Sequence, residues 1–310
     1  MTTSGDLAIV VNPRAGGGRQ GERDAARLRS VAAGKGAVFV TESREMTDAV
    51  ADGVRERGVS TVAIAGGDGT VAGVLTALHR AYRHNPLPRI ALLRGGTMNT
   101  IANALQISQG SPEKLLARLL ARPAGPVLER ATLSVDGRTG FLFSAGVMVG
   151  FLDALYGSGG KGRIAALGLL ARGSVETVVG GHLIEQIETP LTAALEVDGE
   201  SHPARRYVAL GAGTVPEVGL GFRPYPQSEE RTDAFQVFAF HGSVQMLVRE
   251  LPRLRRGQPA TEGLGFSPVT QSLRISTEEG TVRYALDGDV EEAESPLIVR
   301  PGPAVRIAAL

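Results

Sequence analysis

The chain has 310 residues, 43% of them hydrophobic and 21% charged, a globular composition long enough for two domains with separate cores. It contains no cysteine, and this excludes disulfide bonds, thiolate nucleophiles and metal sites built on thiolates. The formal net charge of +1 argues against a dedicated nucleic-acid-binding protein.

The N-terminal segment, MTTSGDLAIVVNP, lacks the basic region and the long apolar run of a signal peptide. No apolar run reaches the length needed to span a membrane, since FLFSAGVMVGFLDALY is interrupted by glycines and Asp153. We therefore expect a cytoplasmic protein that at most contacts a membrane peripherally.

Two kinds of segment alternate over the first part of the chain. Short, apolar, largely β-branched runs predict strands at LAIVV (7–11), AVFV (37–40), TVAIA (61–65) and IALL (90–93). Helical patterns lie at 19–33, 46–57, 70–83, 98–106 and 112–121. The alternation predicts an α/β domain over residues 1–123, with a parallel sheet that binds ligands at the carboxyl ends of its strands.

Glycine-rich loops follow three of these predicted strands. They are NPRAGGGR (12–19), GGDGT (66–70) and RGGTMN (94–99), and each precedes a helical pattern. Glycines let backbone N–H groups approach a bulky anion that a Cβ would block, and helix N-termini carry a partial positive charge. Three such loops at one sheet edge favour a bound polyphosphate, although the GxxxxGK[ST] and GxGxxG motifs are absent.

The pattern changes after a linker at PAGP (123–126). Residues 124–310 contain many short strand-like segments, which predicts a second domain built as an antiparallel β-sandwich. Asp-Gly turns join several of them, at Asp136-Gly137, Asp198-Gly199 and Asp287-Gly288. Helices are predicted at 163–179 and 243–254, and the last stretch, PLIVRPGPAVRIAAL, is a strand-like segment expected to pack back on the first domain.

Three motifs, VVNPRAGGG, GGDGTVAGVL and GGTMNTIANAL, resemble in order and spacing the diacylglycerol kinase-like lipid kinases of bacterial type, a family that includes sphingosine and ceramide kinases. Later segments fit as well: VDG (197–199), GLGFRPYPQSEERTDAFQV (219–237) and ALDGDV (285–290). The resemblance implies that an α/β domain and a β-rich domain enclose ATP and Mg²⁺ in the cleft between them. It also implies transfer of the γ-phosphoryl group to a lipid hydroxyl, on a diacylglycerol, a ceramide or a sphingoid base.

The resemblance assigns the ATP contacts residue by residue. They are Asn12, Pro13, Arg14, Ala15, Gly16, Thr41, Gly66, Gly67, Asp68, Gly69, Thr70, Val71, Ala72, Thr97 and Asn99. Thr41 has a second interpretation as an ordinary residue at a strand end. Asn99 is expected to brace its loop, and Arg94 either contacts phosphate or is a solvated loop cation. Many relatives have Pro where this chain has Arg94, and Asp where it has Thr100. The replacement at Thr100 bears on lipid preference more than on ATP binding.

Asp68 is an unusual neighbour for phosphate, because two anions repel each other. It is expected to bind Mg²⁺ or to touch the acceptor hydroxyl, and the alternative is an Asp that caps a helix or closes a turn. Asp233, in RTDAFQV, matches a position that holds a structural Mg²⁺ in bacterial relatives. Ala234 replaces the glycine that usually follows.

The turn Asp287-Gly288-Asp289 replaces an Asp-Gly-Glu of the family, in which the proposed base lies, usually at the Glu. Asp289 therefore inherits the role of base on a shorter side chain. The alternatives are that Asp289 binds metal while Asp287 or Asp68 takes the proton, or that the turn is a plain hairpin.

The expected partner is a lipid substrate at a membrane surface, with a homodimer among the expected assemblies. Candidate membrane contacts are the segment VQMLVRELPRLRRG, with Arg249, Arg253, Arg255 and Arg256, and the loop GSGGKGR, with Lys161 and Arg163. Such basic helices are also common as solvated outer faces. The rival functions are an NAD kinase, which shares the GGDGT loop, and a non-catalytic nucleotide- or lipid-binding regulator of the same fold.

Overall fold

The computed structural model describes residues 6–15, 21–83, 85–157 and 188–310. In these ranges the strands are β1 Leu7–Val11, β2 Ala37–Val40, β3 Thr61–Ala65, β4 Arg89–Leu92, β5 Val127–Arg130, β6 Leu133–Val135, β7 Arg138–Gly140, β8 Leu142–Gly146, β9 Leu191–Val197, β10 Glu200–Tyr207, β11 Ala209–Gly213, β12 Phe235–Phe240, β13 Gly265–Phe266, β14 Val269–Thr270, β15 Leu273–Ser276, β16 Thr281–Leu286, β17 Asp289–Glu294, β18 Leu297–Pro301 and β19 Val305–Ala308. The helices are α1 Gly21–Ala32, α2 Arg44–Glu56, α3 Asp68–Tyr82, α4 Thr100–Ala104, α5 Pro112–Ala121, α6 Val147–Gly157 and α7 Val244–Arg255. Across those ranges, no helix is both long enough and apolar enough to cross a bilayer.

The chain forms two compact units, one of Met1–Arg130 with Pro303–Leu310 and the other of Ala131–Gly302. The first unit contains a six-stranded sheet in the order β2-β1-β3-β4-β19-β5. All neighbours pair in parallel except β5, which is antiparallel to β19. Every residue of β1 and β3 is buried, as expected for parallel strands that helices cover on both faces.

The helices of this unit begin and end close to where the sequence predicts. The hydroxyl of Ser43 accepts a hydrogen bond from the Met46 N–H and so starts α2 at Arg44, two residues before the predicted start. Helix α4 is shorter than the predicted 98–106, because Asn99 has a left-handed conformation with φ of 51°. The predicted helix at 163–179 lies outside the described residues.

The second unit consists of two antiparallel sheets. One has the order β10-β9-β15-β18-β6-β7, and the other has β13-β12-β11-β8-β16-β17 with β14 paired to β12. Apolar side chains from both sheets meet in one buried cluster, which includes Val135, Phe143, Leu195, Val237 and Val299. The predicted fold class, an α/β part followed by a β-sandwich-like part, is confirmed.

The predicted Asp-Gly turns are two-residue hairpin turns. They join β6 to β7, β9 to β10 and β16 to β17, and each strand pair is in antiparallel register. Both residues of every turn have positive φ, from 47° at Asp136 and Asp198 to 91° at Gly288. Two-residue hairpin turns of type I′ need positive φ at both central residues, and Asp followed by Gly tolerates this well. The Asp-Gly pairs therefore determine where these hairpins turn.

Tyr225 gives a test of the packing in this unit. Its ring lies so close to β11 that a Cβ at Gly211 or Gly213 would collide with it. Burial raises the pKa of the Tyr225 hydroxyl well above its ordinary value. Above pH ~10 the Tyr225 hydroxyl therefore keeps its proton in the folded chain but loses it in the unfolded chain. The contribution of Tyr225 to the free energy of unfolding is complete below pH ~10 and declines as the pH rises.

We therefore expect the free energy of unfolding to fall above pH ~10, with a contribution from Tyr225 of up to ~1.4 kcal/mol per pH unit. Urea denaturation at several alkaline pH values measures the slope, and Tyr225→Phe should make it shallower. Equal slopes for the wild type and the variant would contradict the burial argument.

Candidate active site

The loops after β1 and β3 are joined by a hydrogen bond between side chains. Asn12 Nδ2 donates to Thr70 Oγ1 at 2.9 Å, while Asn12 Oδ1 accepts from the Arg14 N–H at 2.9 Å. The Asn12 N–H donates to the Ala65 carbonyl at 3.1 Å. Asn12 therefore fixes the start of α3 relative to the end of β1.

The glycines of the loops after β3 and β4 pack backbone against backbone. A Cβ at Gly96 would collide with Gly67 Cα, and a Cβ at Gly95 would lie 2.7 Å from the Gly66 nitrogen. A Cβ at Gly66 would collide with the side chain of Thr70. The sequence-based reason for these glycines was close approach to phosphate, and the structure supplies another, which is close approach of one loop to the other.

Asn99 braces the loop after β4, as expected. Its Oδ1 accepts from the Gly96 N–H at 3.0 Å, and its Nδ2 donates to the Gly96 carbonyl at 2.6 Å. Asn is one of the few residue types that tolerate the left-handed backbone found here. The residue thus holds Gly96 against Gly67.

The Asp68 carboxylate caps helix α4. Asp68 Oδ2 accepts from the Thr100 N–H at 2.9 Å, and Oδ1 accepts from the Ile101 N–H at 3.0 Å. The capping alternative is therefore observed, although the capped helix is α4 and not α3, which Asp68 begins. This corrects the expectation that the N-terminus of α4 is available to a phosphate, because its N–H groups donate to Asp68.

Arg94 holds the other end of α4, which corrects both sequence-based interpretations of this residue. Its guanidinium donates to Asn103 Oδ1 at 2.8 Å and to the carbonyls of Ala102 and Ile107 at 3.2 and 2.6 Å. A carboxylate at the N-terminus of a helix and a guanidinium at its C-terminus both complement the helix dipole. Helix α4 is thus clamped at both ends.

Arg94→Ala is expected to lower the free energy of unfolding by ~1–3 kcal/mol, because the carbonyls at the end of α4 lose a charged donor. Arg83→Ala is the matched control, since Arg83 also has φ of 53° but is exposed at the end of α3. Urea denaturation compares the two. Equal losses in both variants would mean that the hydrogen bonds from Arg94 to the end of α4 contribute nothing specific to stability.

The remaining predicted ATP-binding residues occupy varied environments. Arg14 is exposed, with its guanidinium 3.8 Å from a Glu42 carboxylate oxygen. Thr41 is buried beside β1, where its N–H donates to the Val11 carbonyl, and Thr97 is exposed.

The other predicted ATP-binding residues differ in burial. Pro13 and Ala15 are half-buried before α1, and Gly69 is half-buried in the first turn of α3. Val71 and Ala72 are buried in that helix. Gly16, Lys161 and Arg163 lie outside the described residues.

In the second unit, the Asp287 carboxylate is buried and bound to backbone. Its Oδ1 accepts from the N–H groups of Phe141 and Leu142 at 3.0 and 2.8 Å. A Cβ at Gly140 would lie 2.8 Å from Asp287 Oδ2, so this glycine leaves room for the carboxylate. Asp287 therefore ties the β16–β17 turn to β8, and this structural role disfavours it as the base.

Asp289 follows on the exposed side of the same turn. Its Oδ2 lies 3.8 Å from the guanidinium of Arg138, and the same guanidinium pairs with Glu291. The Asp289 side chain is 49% exposed, whereas that of Arg138 is 11% exposed. Sequence reasoning missed Arg138 and Glu291, although the alternation of acids along DGDVEE placed Asp289 and Glu291 on one face of the strand.

Asp233 is paired with an arginine. Arg231 donates through Nε and a terminal nitrogen to both carboxylate oxygens, at 2.9 and 2.8 Å, and Gln271 Nε2 donates to Oδ2 at 2.7 Å. The hydrogen bonds from Arg231 lower the pKa of Asp233 below its ordinary value. These residues do not fit a structural Mg²⁺, and the described parts of the chain contain no group of three or more potential ligands from His, Cys, Asp and Glu.

Comparison with known proteins bears on these loops directly. Residues 6–127 match the diacylglycerol kinase catalytic domain, and this range contains all three glycine loops. The first part of the chain, residues 6–127, is therefore assigned to the diacylglycerol kinase catalytic domain family. The family predicted from the sequence motifs is thereby confirmed.

A relative and two solved structures extend the similarity beyond this domain. A protein of Salmonella arizonae named "Probable lipid kinase YegS" is 29% identical over 206 residues, which cover 66% of this chain and 64% of the relative. The match thus spans slightly less than two thirds of that relative. Two crystal structures from Bacillus anthracis str. Sterne, of a candidate diacylglycerol kinase and of a diacylglycerol kinase, superpose with TM-scores of 0.73 and 0.67. Both are 16% identical and cover 98% of this chain and 97% of their own, so they show the fold alone.

Proposed function

We propose that this chain is an ATP-dependent lipid kinase, which transfers the γ-phosphoryl group of Mg-ATP to a hydroxyl of a lipid of the diacylglycerol, ceramide or sphingoid-base class. The observation that carries the proposal is the set of interlocked loops after β1, β3 and β4. Hydrogen bonds from Asn12 and Asn99 and to Asp68 hold these loops in one arrangement. Such preorganisation is what positions a triphosphate for transfer.

The N-terminus of α3 is the proposed phosphate contact in this arrangement. The helix starts at Asp68 immediately after Gly67, which has extended backbone and no side chain to block the approach. The first N–H groups of a helix lack intrahelical acceptors and suit an anion. The N-terminus of α4, by contrast, is already neutralised by Asp68.

Mg²⁺ bound to ATP would neutralise phosphate charge during transfer. Mg²⁺ of this kind takes most ligands from phosphates and water, with one or two carboxylates from the protein. The described residues fit that pattern, because Asp68 places one half-buried carboxylate beside the start of α3. Asp68 would hold the ion while keeping α4 in position.

Asp289 is the proposed general base, which would orient the lipid hydroxyl and accept its proton. Unlike the buried Asp287, it has a side chain that is 49% exposed, so a lipid hydroxyl can approach its carboxylate. The guanidinium of Arg138, 3.8 Å from Oδ2, contributes to the position of this carboxylate.

Incubation with γ-radiolabelled ATP and a total lipid extract tests the function, with thin-layer separation of the products. A labelled lipid is the expected result. Labelling of NAD in a parallel reaction, with no labelled lipid, would favour the NAD kinase alternative. Nucleotide binding without any labelled product would favour the non-catalytic regulator.

A further inference from the structure

Helix α7 belongs to the second unit and packs one of its faces against strand β12. Val244, Leu247 and Leu254 belong to a cluster with Phe238 and Phe240 of β12. The hydroxyl of Ser243 accepts from the Met246 N–H at 3.2 Å and fixes the start of the helix. The orientation of α7 about its own axis is therefore set by its apolar face.

The opposite face of α7 carries Met246, Arg249, Arg253 and Arg256. Their separations of three, four and three residues place them in one stripe along the helix. Met246 is 42% exposed, among the most exposed of the large apolar side chains in the described ranges, and Arg249 and Arg256 are also exposed. We call these four residues the α7 stripe.

The one acid of α7 is buried and contacts only Arg253 of this stripe. Glu250 is 7% exposed, and its two oxygens accept from the N–H and the hydroxyl of Thr261 at 3.0 and 2.8 Å. It also lies 3.3 Å from the Arg253 guanidinium. Among the residues the structure describes, Arg249 and Arg256 have no ion pair. Glu250 therefore offsets the charge of Arg253, and the positive charge that the stripe presents comes from Arg249 and Arg256.

Neighbouring arginines extend the positive surface. Arg255 lies over the ring of Phe222, 5.9 Å from its centroid, and is exposed. Arg223, which is exposed too, is fixed beside the helix end because its N–H donates to the Leu254 carbonyl. Several cations thus cluster here in a chain whose net charge is only +1.

We propose that the α7 stripe docks on the anionic surface of a lipid bilayer. Arginines bind lipid phosphates, and the exposed methionine beside them can insert among acyl chains. A nucleic-acid backbone also binds arginines, but it offers no apolar environment for the methionine. The choice of a bilayer as partner rests on the proposed lipid kinase function. The docking itself requires neither ATP nor an acceptor lipid.

Cosedimentation of the full chain with vesicles, without ATP, tests the proposal. We expect binding to phosphatidylcholine vesicles that contain phosphatidylglycerol, and little to phosphatidylcholine alone. Arg249→Gln with Arg256→Gln should lower the partition coefficient by about 30-fold, since each arginine near an anionic surface contributes a roughly fivefold factor. Met246→Gln should also lower it, and high salt should abolish binding.

The matched control is Arg55→Gln with Arg57→Gln, which removes the same charge from exposed positions at the end of α2. Equal losses in both double variants would overturn the proposal, because binding would then follow total charge. Binding of a labelled duplex oligonucleotide through Arg249 and Arg256, with no vesicle binding, would overturn it as well. A chain that binds vesicles through the stripe but phosphorylates no lipid would contradict the proposed function alone.

Discussion

Asp289→Asn is expected to lower the turnover of lipid phosphorylation by ~10²–10⁴-fold, with little change in affinity for Mg-ATP. An amide cannot accept the proton that a carboxylate takes from the lipid hydroxyl. Asp289→Glu should retain substantial activity, because it restores the longer side chain usual in the family. Steady-state kinetics and titration calorimetry measure the two effects separately.

Two neighbours serve as controls for Asp289. Glu291→Gln removes the same charge from the same partner, Arg138, and should leave most of the turnover. Asp287→Asn should act on stability, lowering the free energy of unfolding by ~1–3 kcal/mol, because an amide group would then face backbone N–H groups. If Asp289→Asn chiefly weakened Mg-ATP binding, the residue would serve the metal and another group would have to accept the proton.

Asp68→Asn has the second large expected effect, on both activity and stability. The amide can accept from only one of the two N–H groups that Asp68 holds at 2.9 and 3.0 Å. We expect a loss of ~1–3 kcal/mol in the free energy of unfolding. Phosphoryl transfer should fall below detection at a temperature where the variant is still folded, since the carboxylate beside the phosphates is lost as well.

Asp52→Asn is the matched control for this variant, being an exposed Asp on α2. It should change neither the free energy of unfolding nor the rate of phosphoryl transfer. Circular dichroism gives the folded fraction, and the radiolabel assay gives transfer. A stable Asp68→Asn variant with most of the wild-type activity would remove Asp68 from both of its assigned roles.

Much of the first unit follows from its sequence. The strands β1, β2 and β3 have the predicted bounds. In β1 and β3 every residue is buried, so the short apolar run and the buried strand coincide, whereas β2 lies at the sheet edge and is only partly buried. The Asp-Gly turns were equally predictable, since two consecutive positive φ values restrict the residue types.

The partners of the loop residues were not predictable in the same way. Asp68 contacts Thr100 and Ile101 across more than thirty positions of sequence, and a single chain shows no pattern that pairs them. Arg94 was assigned to phosphate or solvent because its charge suggests a ligand, whereas the nearest acceptors are carbonyls at the end of α4. Pairs that form between loops depend on how neighbouring strands align, which only the fold fixes.

Amide hydrogen exchange with and without a Mg-bound, non-hydrolysable ATP analogue tests the central claim most directly. That claim is that the loops after β1 and β3, held against the loop after β4, bind the triphosphate. We expect the analogue to slow exchange in peptides that cover Asn12–Ala15 and Gly66–Ala72. Unchanged exchange in both segments at saturating analogue, or protection confined to other parts of the chain, would contradict it.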